Sequence, residues 1–215
     1  LIHDSGHRHF VVVTERRDIE ESEFFRQQEH QVILVRGDYT RLEVLKEAGV
    51  ERASVAILLA DESNEKRTPQ DRDARSVLAA MLIEKLNAEI YTTVQLLNRD
   101  NETSLHRAGV EDVIVADEYV GNIMATIVRN RGIVSVLDEL LTAKRGHRFF
   151  DADVPKRLVG KTVGEALMIL KRDDDATLIA VDCGGGGKGM VVNPPHDFVL
   201  EEHHRLVVAG SKQVA

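Results

Sequence analysis

QVILVRGDYTRLEVLKEAGVERASVAILLAD, residues 31–61, decides the fold. An apolar run at 31–36 stops at Gly37-Asp38. A stretch at 41–48 carries Leu42 and Leu45 on one side and stops at Gly49. A second apolar run at 54–60 stops at Asp61. Short apolar runs bounded by turn residues read as buried strands, and the spaced leucines between them read as a helix. Thr40, with Glu43 three residues later, carries the signature of a capping box for that helix. Strand, helix and strand in this span form a βαβ unit, which calls for a parallel sheet.

The pattern continues outward. HFVVVT at 9–14 is a strand, and the polar stretch 18–28, with Phe24 and Phe25, is a helix. Past Asp61 a polar loop containing Thr68-Pro69 leads into a helix over 71–86, with Val77, Leu78, Met81, Leu82 and Leu86 as its apolar residues. A strand at 89–97, a helix at 98–108 ended by Gly109, and a strand at 112–116 follow. Leu-x-x-Ala-Gly-Val-Glu occurs at 45–51 and again at 105–111, which reads as a reused helix-to-strand junction.

From Glu118 the alternation stops. Two helices, 118–129 and 133–142, are rich in apolar residues; they pack on a partner subunit or on this domain's own sheet. A basic linker at 143–148 leads to a smaller α+β region. It has strands at 148–154, 176–182, 190–192 and 205–210, a helix at 163–170, and a turn at 184–187.

Composition narrows the function classes. The chain has 215 residues, 36 acidic against 28 basic, for a formal net charge of −8. That disfavours a sequence-blind nucleic-acid binder, which needs a cationic surface. A single cysteine, Cys183, makes no internal disulfide and fits a reducing cytoplasm. No apolar run approaches the ~20 residues that span a bilayer. The polar start, Leu1 to Arg8 without an initiator Met, reads as the opening of a fragment, so a membrane part would lie outside it.

The residues that could carry chemistry sit at strand ends. Glu15 follows the first strand, where an acidic residue of a doubly wound fold bonds a ribose hydroxyl. Asp38 and Asp61 end the next two strands, so the three carboxylates would converge on one edge and face ribose, adenine or a cation. Each is equally at home as a turn or cap residue. No G-x-G-x-x-G lies between a strand and a helix, and Gly184 to Gly189 feeds a strand. His203-His204, after Glu201-Glu202, could recruit a metal, but adjacent turn residues rarely chelate together, so they read as a solvated turn. Neither Cys183 nor Ser54, Ser76, Ser104 or Ser135 has the surroundings of a nucleophile. No catalytic residue is expected.

These strings resemble a known family. Val32 to Thr40, then Leu45-x-x-Ala-Gly-Val-x-x-Ala, then the strand ending Ala60-Asp61, resemble the N-terminal lobe of RCK domains, which regulate potassium conductance. Asp73 to Ala80, Ile83 to Leu86 and Ala108 to Ile114 look like the channel branch. Residues 133–141 fall where the family has its helix-turn-helix crossover. Leu158 to Glu165, Asn193-Pro194-Pro195 and 205–210 resemble the C-terminal lobe.

The resemblance implies an α/β fold. A Rossmann-like parallel sheet (1–117), lacking the family's first strand and glycine loop, is followed by a helical crossover (118–145) and a small α+β C-terminal lobe (146–215). It implies a ligand-sensing gating-ring domain at the cytoplasmic face of the membrane, acting on a potassium channel pore. The partner would be a second copy, with dimers assembling into an octameric ring. Glu15, Asp38 and Asp61 would hold NAD(H) or an adenine nucleotide. The alternative ligand is a divalent cation bound elsewhere, because the calcium-site neighbourhoods of gated relatives read Glu15-Arg16-Arg17 and Gln95 to Asn98 here. Arg16, Gln95 and Leu97 are poor ligands for a hard cation. Two alternatives are a peripheral nucleotide-binding subunit of a Trk/Ktr-type transporter and a fragment of an NAD-dependent oxidoreductase.

Overall fold

The computed structural model describes residues 10–16, 32–61, 67–184, 189–212 and 214. The expected helix at 18–28 and the glycine turn at 185–187 lie outside the described residues. The chain divides into two compact units, Leu1–Gly121 and Asn122–Ala215.

The first unit is an α/β body of parallel strands. β1 (Phe10–Thr14) pairs in parallel with β2 (Val32–Arg36). β3 (Val55–Leu58), β4 (Tyr91–Leu96) and β5 (Asp112–Val115) form a second parallel group in that order. The connections carry helices: α1 (Leu42–Glu47) between β2 and β3, α2 (Pro69–Leu86) between β3 and β4, and α3 (Glu102–Ala108) between β4 and β5. Leu45, Leu58, Ile83, Val94, Leu96 and Leu105 are among the residues that close the core. The α/β, Rossmann-like reading of the sequence holds.

Two local expectations are corrected. Thr40 caps nothing. Its amide and hydroxyl both donate to Asp38 Oδ1, at 2.9 and 2.7 Å, so α1 begins instead after Arg41 without a side-chain cap. The capping box lies one element later. Thr68 accepts from the Asp71 amide while Asp71 accepts from Thr68, and Pro69 opens α2 two residues before its expected start. Thr68→Ala should cost about 1 kcal/mol, read as a lower urea midpoint at unchanged slope.

The buried face of α2 is only partly the expected one: Val77, Leu82 and Leu86 do pack against the core. Asp73, Ser76, Ala79, Ala80 and Ile83 face the sheet, while Leu78 and Met81 are about half exposed. Small side chains let the helix lie close on the strands, and that close approach turns the larger residues outward. Asp73 is 1% exposed, and its two oxygens accept from the Leu97 and Asn98 amides, both at 2.8 Å. This ties the first turns of α2 to the carboxyl end of β4.

α4 (Ala116–Arg129) crosses the boundary between the units, and α5 (Ile133–Thr142) follows it. Neither has a buried residue, and Tyr119, Val120, Met124, Val128, Val136 and Leu141 are more than half exposed. No helix among the described residues is long and apolar enough to cross a membrane.

The second unit is α+β. Its sheet runs β6-β9-β7-β8, all antiparallel, from β6 (Arg148–Asp153), β7 (Thr177–Asp182), β8 (Met190–Val192) and β9 (Arg205–Gly210). α6 (Val163–Asp174) has its own capping box, Thr162 with Glu165, and buries Val163, Ala166 and Leu170 against Leu178, Leu206 and Val208. It ends at Asp174, four residues past the expected end, and Asp175 caps it in a left-handed conformation.

Candidate functional site

Ligands of open parallel sheets bind beyond the carboxyl ends of the strands. Glu15, Asp38 and Asp61 stand there in the first unit, one past each of β1, β2 and β3, and the structure brings them together through two arginines. Arg75, in the second turn of α2, places Nη2 2.8 Å from Asp38 Oδ1 and 3.2 Å from Glu15 Oε2. Its Nε lies 3.4 Å from Asp61 Oδ2. Arg67, just before α2, reaches Glu15 at 3.3 Å and donates its other arm to Asp61. One guanidinium therefore touches all three carboxylates and the second touches two of them.

Burial grades the cluster. The Asp61 side chain is 6% exposed and that of Glu15 37%. A buried carboxylate without a counter-charge is costly, so the arginines are required for Asp61 to sit this deep. Burial pushes Asp38 upward, but the Thr40 hydroxyl and amide and the Arg75 guanidinium outweigh it and hold its pKa below the ordinary value. Burial works against Arg75 as well, and its contacts with Tyr39 and Asp38 leave its pKa raised. The Tyr39 ring lies 5.0 Å from the Arg75 guanidinium carbon, within cation–π range. Burial raises the Tyr39 phenol.

Gln95 supports the same edge. Its side-chain oxygen accepts from the Ala60 amide at 3.3 Å, next to Asp61. Asp73 fixes the chain after β4 from the other side. Two arms of α2, Asp73 and Arg75, thus set the positions of all four strand ends.

The chemistry open to this edge is recognition. Carboxylates accept hydroxyl hydrogens such as those of a ribose, and guanidiniums bond phosphate as readily as carboxylate. A divalent cation among the three carboxylates would face two fixed positive charges, so the site does not suit one. The carboxylates were legible from the sequence as acidic strand ends. Arg67, Arg75 and Tyr39 were not, although three acids on one edge already imply a cationic partner.

The histidine pair differs from its expected solvated turn. His204 is 5% exposed, with its ring 5.7 Å from that of Phe198, while His203 is exposed. Glu201, His203 and His204 bring donor atoms within 4.8 Å of one another. The His204 Nδ1, however, accepts from the Glu201 amide at 3.0 Å, which puts the ring proton on Nε2. Neither nitrogen then offers a free lone pair to a metal.

In the second unit a groove of about 360 Å³ is lined by α5, the segment leading into β6, the end of α6, and residues of β7 and β9. Glu139 on its wall accepts from the Arg145 and His147 amides at 2.9–3.0 Å, and Lys171 pairs with Asp175 at 2.5 Å. Glu139, Lys171 and Asp175 are thus already engaged.

Comparison with known proteins agrees with this fold. The model of the TrkA-N domain family matches residues 1–116. The calcium-gated potassium channel TvoK of Thermoplasma volcanium is 25% identical over 136 residues, which cover 63% of this chain and 39% of the channel. The chain thus spans about two fifths of that relative's length. The human SLO3 gating ring is similar in structure with a TM-score of 0.70 and 15% identity, covering 94% of this chain and 39% of that one. The GsuK RCK domain matches with a TM-score of 0.42 and 19% identity, covering 98% of this chain and 46% of its own.

Proposed function

The chain belongs to the TrkA-N domain family, and on that premise we propose that it is the ligand-sensing, gating-ring module of a potassium channel. The observation that carries the reading is the carboxyl edge, where Glu15, Asp38 and Asp61 are held by Arg75 and Arg67. In this reading the ligand is an adenine nucleotide or NAD(H). Glu15, the most exposed of the three, accepts the ribose hydroxyls. Arg75 and Arg67 exchange carboxylate partners for ligand oxygens.

The module senses and does no chemistry on what it holds. The 25% identity to a calcium-gated potassium channel supports a channel as the target. The exposed apolar residues of α4 and of α5 supply surface for a second copy, and assembly of dimers into an octameric ring would transmit the response to a pore. A ligand gates such a ring only through its different affinity for the ring's two states. The module works at the cytoplasmic face of the membrane.

Calorimetric titration with NAD+, NADH, ADP, ATP and AMP tests the assignment. At least one should bind, and Glu15→Gln should weaken it about tenfold, the loss of about 1.4 kcal/mol of charge-assisted hydrogen bonding. No binding by any of the five, or binding indifferent to Glu15→Gln, would remove the nucleotide reading. Sustained NADH oxidation would favour an oxidoreductase instead.

A further inference from the structure

Arg72 is a cation of the carboxyl edge that has no anion. It closes the first turn of α2, next to Asp73 and one turn before Arg75. Side chains at i, i+4, i+7 and i+11 share one face of a helix. Arg72 therefore begins the stripe that continues through Ser76, Ala79 and Ile83, all buried against the sheet. Its flanking residues fix where that stripe meets the strands. Asp73, on one side, takes the amides that follow β4. Arg75, on the other, touches Asp61 at the end of β3. Arg72 is thus set between the carboxyl ends of β3 and β4.

The side chain is partly buried, and its Nε is enclosed without a hydrogen-bond partner. Among the described residues its guanidinium forms no ion pair either. Arg67 and Arg75, by contrast, are spent on Glu15, Asp38 and Asp61. The acids beside Arg72 in sequence are occupied as well. Asp71 accepts from Thr68 in the capping box, and Asp73 gives its two oxygens to the Leu97 and Asn98 amides. A guanidinium drawn out of water without an acceptor is costly. The dipole of α2 also opposes a cation this close to its N-terminus. An anionic ligand relieves both costs.

We propose that Arg72 anchors the phosphate chain of the ligand at the carboxyl edge, which makes that ligand a nucleotide bearing a pyrophosphate. The proposal rests on the nucleotide reading for the sugar and base, and it names the residue that distinguishes a nucleotide from a nucleoside. Arg75 and Arg67 can take a phosphate only by releasing a carboxylate. Releasing Asp61, whose side chain is 6% exposed, would leave a buried charge unpaired. Arg72 gives up nothing. Its planar fork presents parallel N–H donors to two phosphate oxygens. Ribose on Glu15 and phosphate on Arg72 then divide the ligand between two parts of one edge, and binding ties the first turn of α2 to the end of β1.

Calorimetric and thermal-shift titrations with adenosine, ADP and inorganic pyrophosphate test it. Wild type should bind ADP about tenfold more tightly than adenosine, the increment of one charge-assisted contact. Pyrophosphate alone should raise the melting temperature with its concentration. Arg72→Gln should remove the pyrophosphate response and lower ADP to the affinity of adenosine, with adenosine itself unchanged. Arg72→Lys, which keeps the charge on a similar stem, should fall between the two. Glu15→Gln should weaken adenosine and ADP by the same factor and leave pyrophosphate untouched, so the two ends of the ligand are read separately. Arg107→Gln, at an exposed position on α3, should change none of the three. The Arg72 assignment is overturned if wild type binds ADP no better than adenosine, if pyrophosphate gives no shift, or if either response survives Arg72→Gln. Binding of adenosine and ADP through Glu15 would then leave the nucleotide reading standing. A pyrophosphate response lost in Arg72→Gln, with no binding of adenosine or ADP, would instead overturn the nucleotide reading and assign Arg72 to a free phosphate anion.

Discussion

Arg75→Met should cost the amino-terminal unit about 3 kcal/mol at neutral pH, and the cost should shrink on acidification toward the ordinary aspartate value of 3.8. Among the described residues, Arg75 is the one side chain in contact with Glu15, Asp38 and Asp61 together. Methionine retains much of the stem's packing volume and removes the charge. Arg67 still reaches Glu15 and Asp61, but Asp38 is left with only Thr40. Burial, already the largest influence on Asp38, then acts with less opposition.

The sign follows from the direction of the Asp38 shift. Its folded pKa lies below the unfolded one, so its contribution is complete above the unfolded value and is lost as pH falls through the folded value. Wild type and variant should therefore converge as the carboxylates take up protons. Urea melts of both proteins at several pH values between neutral and acid provide the check. A gap that stays constant would mean that Arg75 stabilises through stacking on Tyr39, with charge neutralisation contributing little. Arg75→Lys should fall between the two, because a single ammonium cannot replace a fork that reaches three partners.

How much of this was legible in the sequence depends on the range of the interaction. The βαβ reading of residues 31–61 rests on local periodicity and chain punctuation, and β2, α1 and β3 form where it placed them. The glycine stops at Gly49 and Gly109 also hold, both at positive φ. The cap at Thr40 failed because a nearer competitor intervened: Asp38, two residues back, takes both Thr40 donors. The face of α2 held at Val77, Leu82 and Leu86 but missed at Leu78 and Met81, for a different reason. Periodicity ranks residues by hydrophobicity, whereas close packing of a helix on strands selects small ones. Ala79 and Ala80 are fully buried while Met81, the next residue, is about half exposed.

The candidate site divides along the same line. Its acids follow strand ends, which a local pattern marks. Its Arg75 acts across 37 residues to Asp38 and 60 to Glu15, and no local pattern encodes that distance. His204 illustrates the limit again. Its neighbours in sequence suggest a solvated turn, but contact with Phe198 and a bond to the Glu201 amide place it inside. A polar residue goes inside when its hydrogen-bonding needs are met there, and only the folded chain shows whether they are.

Asp73→Ala should cost about 3 kcal/mol and loosen the chain after β4, since hydrogen bonds to charged groups contribute about 1.5–3 kcal/mol each. Asp73 is 1% exposed, yet its two oxygens take two separate amides, those of Leu97 and Asn98. Alanine removes both acceptors and leaves a small void beneath α2. Asn98 is exposed and its amide can turn to water, but Leu97 is partly buried and its amide is poorly placed to do so. Asn at position 73 retains one acceptor and turns an amine on the second N–H, so Asp73→Asn should lose somewhat less. The consequence for function runs through Gln95, which lies two residues before Leu97 and holds the Ala60 amide beside Asp61. A looser β4 end therefore loosens the deepest acid of the carboxyl edge, and nucleotide affinity should fall in Asp73→Asn although residue 73 meets no ligand. Native-state hydrogen exchange separates this route from general destabilisation. The Leu97 and Asn98 amides should exchange faster in the variant by more than the core amides of Val94 and Leu105. A uniform change at all four would mean that Asp73 supports global stability alone and has no hold on the site.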